Sequence, residues 1–377
     1  MKMKKNNLLI LAVAALGFAA CANDETTAVN EKLAESNEIS FRSLVNGNMR
    51  AVEKQKTAWA TGDQLDVFAE YKVGGAAAKK YFKDTFTKIE GGNFQSVAKY
   101  YWPAMPGNEM TFTSFYGVAQ SETTAGSLAE TFTPASAAAS QTDIMYARKT
   151  LNGVESPVGL NFRHMLSQID VKVRNSNASL EFDITGVRIG YVSISGTFAC
   201  TASTVTANEN LERVTWTPTV MTGDAETKAN TYKYDVESLT QNISGKVDDA
   251  TGIGDFSTWM LIPQHVTGAT AYAVPGSAAT TNPQLNGAYI AIKMNIKNTL
   301  TDDVIVGEQW CYWKIASIDW NPGYKYTYIV DLAGGGYQPA DQNGDGELDP
   351  VLGTPIEMDA SCTIDAWDTP SDINVGM

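Results

Sequence analysis

Residues 354–367 read Thr-Pro-Ile-Glu-Met-Asp-Ala-Ser-Cys-Thr-Ile-Asp-Ala-Trp, with apolar and polar side chains in alternation. A period of two is typical of a β-strand with one buried face, so we predict one long strand here. The apolar positions are Ile356, Met358, Ala360, Cys362, Ile364 and Ala366. Three glycines at 334–336 lie upstream, and such a flexible hinge gives the strand freedom to leave its own domain. The alternative is an ordinary edge strand.

The composition favours strands along the whole chain. Of 377 residues, 16 are Tyr, 13 Phe and 8 Trp, and 44% are hydrophobic against 19% charged. Aromatic and β-branched side chains favour sheets, and short strands at this spacing are typical of β-sandwiches. The sequence therefore predicts an all-β fold with two sandwich domains, at residues 38–155 and 156–377.

The charge balance argues against one class of partner. The formal net charge is −14 and the pI is about 4.6. Binding to a phosphate backbone needs a basic face, so we expect no nucleic-acid partner. The acidity instead fits an exported protein that stays soluble.

The first 20 residues have the features of an export signal. Three lysines precede an apolar segment at residues 8–16, and two alanines stand directly before Cys21. This pattern resembles a bacterial lipobox, whose cysteine is acylated and becomes the mature N-terminus, although Phe18 stands where Leu is usual. We predict a lipoprotein signal peptide at 1–20, lipidation of Cys21 and a polar tether at 21–37. A plain signal peptide is the alternative.

Three cysteines remain after Cys21, namely Cys200, Cys311 and Cys362. An odd number in an exported protein argues against a disulfide framework, while a single bridge stays open. Cys362 lies on the apolar face of the terminal strand, where a small hydrophobic side chain fits.

Residues suited to catalysis are scarce. The chain has only two histidines, His164 and His265, and lacks nucleophile-elbow, phosphate-loop and clustered His/Cys motifs. We interpret both histidines as structural hydrogen-bonding residues. With 42 acidic residues, pairs of carboxylates arise by chance and do not indicate a glycosidase. We predict that the protein is not an enzyme.

One loop resembles a calcium-binding loop. Its oxygen ligands at the first, third, fifth and ninth positions would be Asp341, Asn343, Asp345 and Asp349. Gly346 stands at the sixth position, as in an EF-hand loop, but Leu352 occupies the twelfth, where a bidentate Glu is usual. The loop is either a weak structural Ca²⁺ site or a solvated turn, and we predict no other cofactor.

Aromatic residues cluster towards the C-terminus, at Trp310, Trp313, Trp320, Tyr324, Tyr326 and Tyr328. Exposed rings of this kind bind sugars, but aromatics at strand spacing are more often core residues or cross-strand pairs. We therefore expect these side chains to pack inside the fold.

The first strand after the tether is predicted at residues 38–45, with Ile39 and Phe41 on one side. The loop that follows places Arg50 and Ala51 in an exposed basic peptide bond, and loops of small and polar residues favour proteolysis. Arg42 and Arg148 are alternative cleavage points.

Several segments together resemble the fimbrillins, the type V pilin family of the Bacteroidales. They are the lipobox at Cys21, the strand ending near Arg50-Ala51, Trp59-x-x-Gly-Asp-x-Leu-x-Val-Phe68, Phe162-x-His-x-Leu-Ser-x-Ile169, Leu261-Ile-Pro-Gln264 and Trp320-x-Pro-Gly-Tyr-Lys-Tyr-Thr-Tyr-Ile-Val-Asp-Leu332. Their order and spacing cover nearly the whole chain.

The resemblance implies two tandem transthyretin-like Greek-key β-sandwiches on a lipoprotein of the outer membrane, exposed at the cell surface. It implies that an Arg-specific protease cuts after Arg50 and releases the first strand, residues 38–50. The terminal strand of another pilin subunit, residues 354–367, then enters the vacant groove by donor-strand exchange. The resulting pilus, or fimbria, supports adhesion to a ligand on host or bacterial surfaces.

A second hypothesis is a surface lipoprotein that binds glycans or a host protein, either alone or at a pilus tip. It predicts that Arg50 is not cut and that residues 354–367 pair within their own chain. These two expectations separate it from the polymerising subunit.

Overall fold

The structure is a computed structural model that describes residues 37–45, 58–104, 108–118, 127–201, 214–254, 258–271, 285–338, 348–353 and 361–366. Its strands are β1 Phe41–Val45, β2 Gln64–Val73, β3 Lys79–Lys88, β4 Phe94–Gln95, β5 Asn108–Tyr116, β6 Ser127–Phe132, β7 Met145–Leu151, β8 Val158–His164, β9 Ser167–Asn175, β10 Leu180–Gly190, β11 Gly196–Thr201, β12 Val214–Pro218, β13 Lys233–Ser244, β14 Val247–Gly252, β15 Trp259–Leu261, β16 Gln264–Val266, β17 Thr270–Ala271, β18 Leu285–Asn286, β19 Tyr289–Asn298, β20 Val304–Lys314, β21 Ile318–Trp320, β22 Tyr324–Asp331 and β23 Ser361–Ala366. The helix α1 covers Ala225–Thr231, and short 3-10 helices cover Ala138–Ser140 and Leu332–Gly334.

The all-β fold predicted from the sequence is confirmed. Strands dominate the described residues and assemble into several sheets, as the aromatic and β-branched composition requires. Among these residues no helix has the length and apolarity needed to span a membrane.

Close packing divides the described residues into two units. Unit 1 takes residues up to 43, residues 60–112 and residues 149–160, and unit 2 takes the remainder. The division predicted near residue 155 falls inside the 149–160 segment and stays a prediction.

Seven strands close into a barrel in the order β1-β4-β3-β2-β5-β7-β8. In unit 1, the alternation along β2 buries Leu65 and Val67, and the antiparallel register places Leu65 opposite Phe86 of β3. Apolar residues at every second position thus build a core lined by phenylalanines.

Unit 2 contains two sheets with a common core. One has the order β13-β10-β19-β20 and the other β14-β9-β22-β23, with β15 also paired to β9. Both sheets contribute buried apolar side chains to one cluster, including Ile169 of β9 and Ile292 of β19. β22 runs parallel to β9 and antiparallel to β23, so the predicted terminal strand lies at the described edge of its sheet.

Candidate strand-exchange interface

The first strand covers the aromatic core of unit 1. Phe41 is completely buried and meets Phe86 and Phe112 edge to face, with ring centroids 4.8 and 5.2 Å away. Ile39, on the same side, is also buried. Burying one such side chain is worth about 1.5–3 kcal/mol, so loss of β1 would expose a costly apolar surface.

Backbone hydrogen bonds hold this segment from both sides. The Ile39 N–H donates to the Tyr100 carbonyl at 2.7 Å, and the Val158 N–H donates to the Ser40 carbonyl at 2.8 Å. Because β1 lies between β4 and β8 in the barrel, its removal would leave unpaired N–H and C=O groups along both neighbours. The vacancy would therefore have the form of a groove that accepts one strand.

The predicted cleavage site Arg50-Ala51 lies outside the described residues, as does the lipidation site Cys21. The two alternative cleavage points are described: Arg42 lies in β1 and Arg148 in β7. Both peptide bonds belong to strands of the barrel, and proteases prefer exposed loops to paired strands. This disfavours Arg42 and Arg148 as processing sites.

The terminal strand pairs with its own chain. β23 runs antiparallel to β22, with Cys362 opposite Tyr328 and Ile364 opposite Tyr326. Both tyrosines are buried in the core of unit 2, but Ile364 is 53% exposed. The strand therefore lies on its sheet with one of its predicted inward side chains half in water.

Only part of the predicted donor strand is described. Cys362, Ile364 and Ala366 lie in β23, whereas Ile356, Met358 and Ala360 lie outside the described residues. Cys362 packs against the core of unit 2, and burial raises the pKa of its thiol to about 11. Cys362 and Cys311 are both free thiols.

The expected glycine hinge is wrong. Gly335 and Gly336 are buried with φ of +72° and +73°, in the left-handed region that favours glycine. A Cβ on Gly335 would lie 2.7 Å from Leu352, and one on Gly336 would lie 3.0 Å from Trp313. The glycines therefore allow close packing at the edge of unit 2, and the Val351 N–H, which donates to the Gly336 carbonyl at 2.8 Å, holds the chain further along to them.

Three of the four predicted calcium ligands, Asp341, Asn343 and Asp345, lie outside the described residues. Asp349 is described, and its backbone carbonyl accepts a hydrogen bond from the Gln338 N–H at 2.7 Å. Leu352, at the twelfth loop position, packs against the core of unit 2, so this position supplies an apolar contact and not a calcium ligand. The site stays a prediction.

Both histidines bind carboxylates. His164 Nδ1 lies 2.9 Å from an oxygen of Asp143, and both side chains are buried; His265 Nδ1 lies 2.6 Å from an oxygen of Asp319, and both are exposed. Among the described residues, no group of three or more His, Cys, Asp or Glu side chains is placed to bind a metal ion.

The C-terminal aromatics mostly pack inside, as expected. Trp313, Trp320, Tyr326 and Tyr328 are buried, and the Trp320 Nε1–H donates to the Tyr328 hydroxyl at 2.9 Å. Trp310 is partly buried under the guanidinium of Arg188, 4.0 Å from its ring centre. Tyr324 is the exception, because it is 40% exposed, and for this ring the expectation is wrong. The other five rings pack in or against the fold and do not form a sugar-binding platform.

A family model described as fimbrillin-like matches residues 50–347. The chain belongs to the fimbrillin-like family. This is a structural and adhesive family, which confirms the prediction that the protein is not an enzyme and implies a fimbrial location at the cell surface. Comparison with curated proteins gave no match.

Solved structures from Bacteroides and Parabacteroides species resemble the fimbrillin-like chain over most of its length. A candidate cell adhesion protein from Bacteroides ovatus is 16% identical, with a TM-score of 0.43, and the match covers 89% of this chain and 99% of that one. A fimbrial assembly protein from Parabacteroides distasonis is 11% identical, with a TM-score of 0.36, over 87% of this chain and 99% of that one.

The residues that hold β1 were missed by sequence reasoning. Tyr100 accepts the hydrogen bond from Ile39, and Phe94 stands opposite Phe41 in the antiparallel register. β4, which contains Phe94, is only two residues long, so it lacks the alternation that reveals a strand. The signal that the sequence offered for this strand was Phe94, a single apolar residue in a polar, glycine-containing segment.

Proposed function

We propose that this fimbrillin-like protein is a polymerising subunit of a cell-surface pilus and that its β1 marks the groove for a donated strand. The observation that carries the proposal is the position of β1, which supplies buried side chains to the core of unit 1 and hydrogen bonds towards both neighbours. Cleavage after Arg50 would release this strand. Water molecules could not replace its buried side chains and its backbone hydrogen bonds equally well. A strand from another copy would take its place by β-augmentation.

The described tail suits the role of donor. Among the described strands β23 lies at the edge of its sheet, with Ile364 half exposed, so this side chain gains burial when the strand moves into a closed groove. Each apolar side chain that becomes buried contributes about 1.5 kcal/mol or more, and each net hydrogen bond about 0.5–1.5 kcal/mol, before the cost of association. A head-to-tail contact of this kind does not close on itself and therefore builds a filament.

The same proposal places the protein on the outer membrane before assembly, through acylation of Cys21. An export signal and a polar tether support this placement. The expected result is that palmitate labels the wild type and not a Cys21→Ser variant, which should also leave the membrane fraction.

The polymerisation test treats the purified full chain with an Arg-specific protease and follows ladders on mildly denaturing gels. We expect ladders from the cleaved wild type and none from an Arg50→Gln variant or a chain truncated after residue 353. The Arg50→Gln variant should keep the circular dichroism spectrum and melting temperature of the intact monomer, whereas the truncated chain should stay folded with a lower melting temperature, because it lacks β23 and the contact of Cys362 with the core of unit 2. Ladders from the truncated chain would contradict strand donation.

The binding-module hypothesis has one specific observation in its favour, because β23 pairs within its own chain as that hypothesis predicts. The same pairing is also the state before exchange. A cleaved wild-type chain that stays monomeric at high concentration, with β23 still protected from hydrogen exchange, would favour the binding module.

A further inference from the structure

Three large apolar side chains are exposed at one turn of unit 2. Leu300 in the β19–β20 turn is 89% exposed, and Val304 and Ile305 at the start of β20 are 58% and 48% exposed. Single exposed hydrophobic residues are common, whereas contiguous exposed apolar patches mark interaction surfaces, and three such residues within six positions make this turn a candidate for one. We call Leu300, Val304 and Ile305 the apolar turn.

Hydrogen bonds fix the shape of this turn. The side-chain oxygen of Asn298 accepts from the Leu300 N–H at 2.9 Å, and the Asp302 N–H donates to the Asn298 carbonyl at 2.9 Å. The Thr299 N–H also donates to the Ser179 carbonyl in the neighbouring β9–β10 turn, at 3.1 Å. A turn that is ordered in this way presents Leu300 with little loss of entropy on binding.

The donated segment leaves unit 2 at the same end. Leu352 and Ile296, the latter close to the end of β19, both flank Gly335. At the other boundary of the segment, β23 begins opposite Ile329, near the end of β22. Asp331 at that end accepts a hydrogen bond from the Ser176 N–H in the β9–β10 turn. The apolar turn therefore lies beside the point from which the tail departs.

Unit 1 exposes a second apolar patch where the groove begins. Val97 is fully exposed, and Tyr101, 42% exposed, forms a β-bridge with Glu38 at the start of the first segment. In the proposed exchange, a donated strand takes the direction of β1, antiparallel to β4, so that it forms the hydrogen bonds that β1 forms. Its first residues then enter beside Tyr101.

The reach of the chain brings these two patches together. Between Gly353 and Ile356, the first predicted inward side chain, there are three steps, which span at most about 10 Å. The apolar turn of the donor therefore comes close to Val97 and Tyr101 of the acceptor. The charges of the two segments are also opposite, since Lys99 lies between Val97 and Tyr101 in the sequence and the exposed Asp303 lies beside the apolar turn.

We infer that the apolar turn of one subunit packs against the Val97–Tyr101 segment of the subunit that accepts its terminal strand. This inference rests on the proposed strand exchange. The contact adds a second, non-strand interface between copies, which fixes the angle between neighbouring subunits and slows their dissociation.

The test places a photoreactive benzoylphenylalanine at position 300 of the full chain, with the same residue at the exposed Val220 as the matched control. Polymers are formed from mixed ¹⁴N and ¹⁵N subunits, irradiated and digested. Mass spectrometry should find mixed-isotope cross-links from position 300 to peptides containing residues 89–104, and none of these from position 220.

Polymers without such cross-links, or with cross-links from position 300 to other segments, would overturn this inference and leave strand exchange intact. Absence of any polymer would overturn both. In parallel, Leu300→Asp should lower the yield of long polymers about tenfold, whereas Val220→Asp should not. Both variants should melt like the wild type, because both side chains are exposed.

Discussion

Gln264 pairs with the backbone of Ser193 in the way that a neighbouring strand would. Its side-chain oxygen accepts from the Ser193 N–H at 2.7 Å, and its side-chain nitrogen donates to the Ser193 carbonyl at 3.1 Å. Both residues are buried. One amide thus satisfies two backbone groups that water cannot reach, which gives a structural reason for the Gln of the Leu-Ile-Pro-Gln segment.

Replacing this amide should destabilise unit 2. We expect Gln264→Leu to lower the free energy of unfolding by about 2–6 kcal/mol, because an unsatisfied buried backbone group costs about 1–3 kcal/mol and two are created. Urea denaturation measures the change. The neighbouring exposed His265→Ala should cost less than about 1 kcal/mol, since its pair with Asp319 is solvated. Equal effects of the two substitutions would contradict this account.

Phe41→Ala should weaken the intact chain through unit 1. Truncation of a buried Phe costs about 3–5 kcal/mol, and the contacts with Phe86 and Phe112 disappear together. Thr85→Ala, an exposed site on β3, should stay within about 0.5 kcal/mol of the wild type. Urea denaturation of the uncleaved chains measures both changes. Equal effects of Phe41→Ala and Thr85→Ala would contradict the burial of Phe41 in the core of unit 1.

The thiol of Cys362 should report whether β23 is bound to its sheet. At pH 8 its raised pKa leaves about a hundredfold less thiolate than in a cysteine of ordinary pKa, so iodoacetamide should react about a hundredfold more slowly in the folded monomer than in urea. Burial of the neutral thiol stabilises β23 below the unfolded pKa, and this contribution is lost as pH rises through about 11. Rapid alkylation at pH 8 in the native monomer would contradict a bound β23.

Calcium should bind weakly if it binds at the loop that begins at Asp341. Without a bidentate Glu at the twelfth position, we expect a Kd of about 10⁻⁴–10⁻³ M. Isothermal titration calorimetry of the full chain should show the heat of calcium binding. A variant with Asp341→Asn and Asp345→Asn should lose this heat. A heat unchanged in the double variant would place the ion elsewhere.

The alternation of apolar and polar residues was enough to predict a strand and its buried face where only one face of the strand is buried. It predicted the strand around Cys362 and the buried packing of Tyr326 and Tyr328, because these depend on local pattern. The packed state of Gly335 and Gly336 was not predictable, because it depends on Leu352 and Trp313, which approach through tertiary folding. Closure of seven strands into a barrel likewise depends on pairing between distant segments.

In a fibre built by strand exchange, the departure of β23 has a result on the donor as well as on the acceptor. β22 then becomes an edge strand, with free N–H and C=O groups along the six residues Tyr324–Ile329 that had paired with β23 and with part of the Tyr326 and Tyr328 rings uncovered. Each subunit in the fibre would then expose an unpaired strand edge. We therefore expect mature fibres to associate side by side, whereas the monomer, in which β23 still covers β22, should not associate in this way.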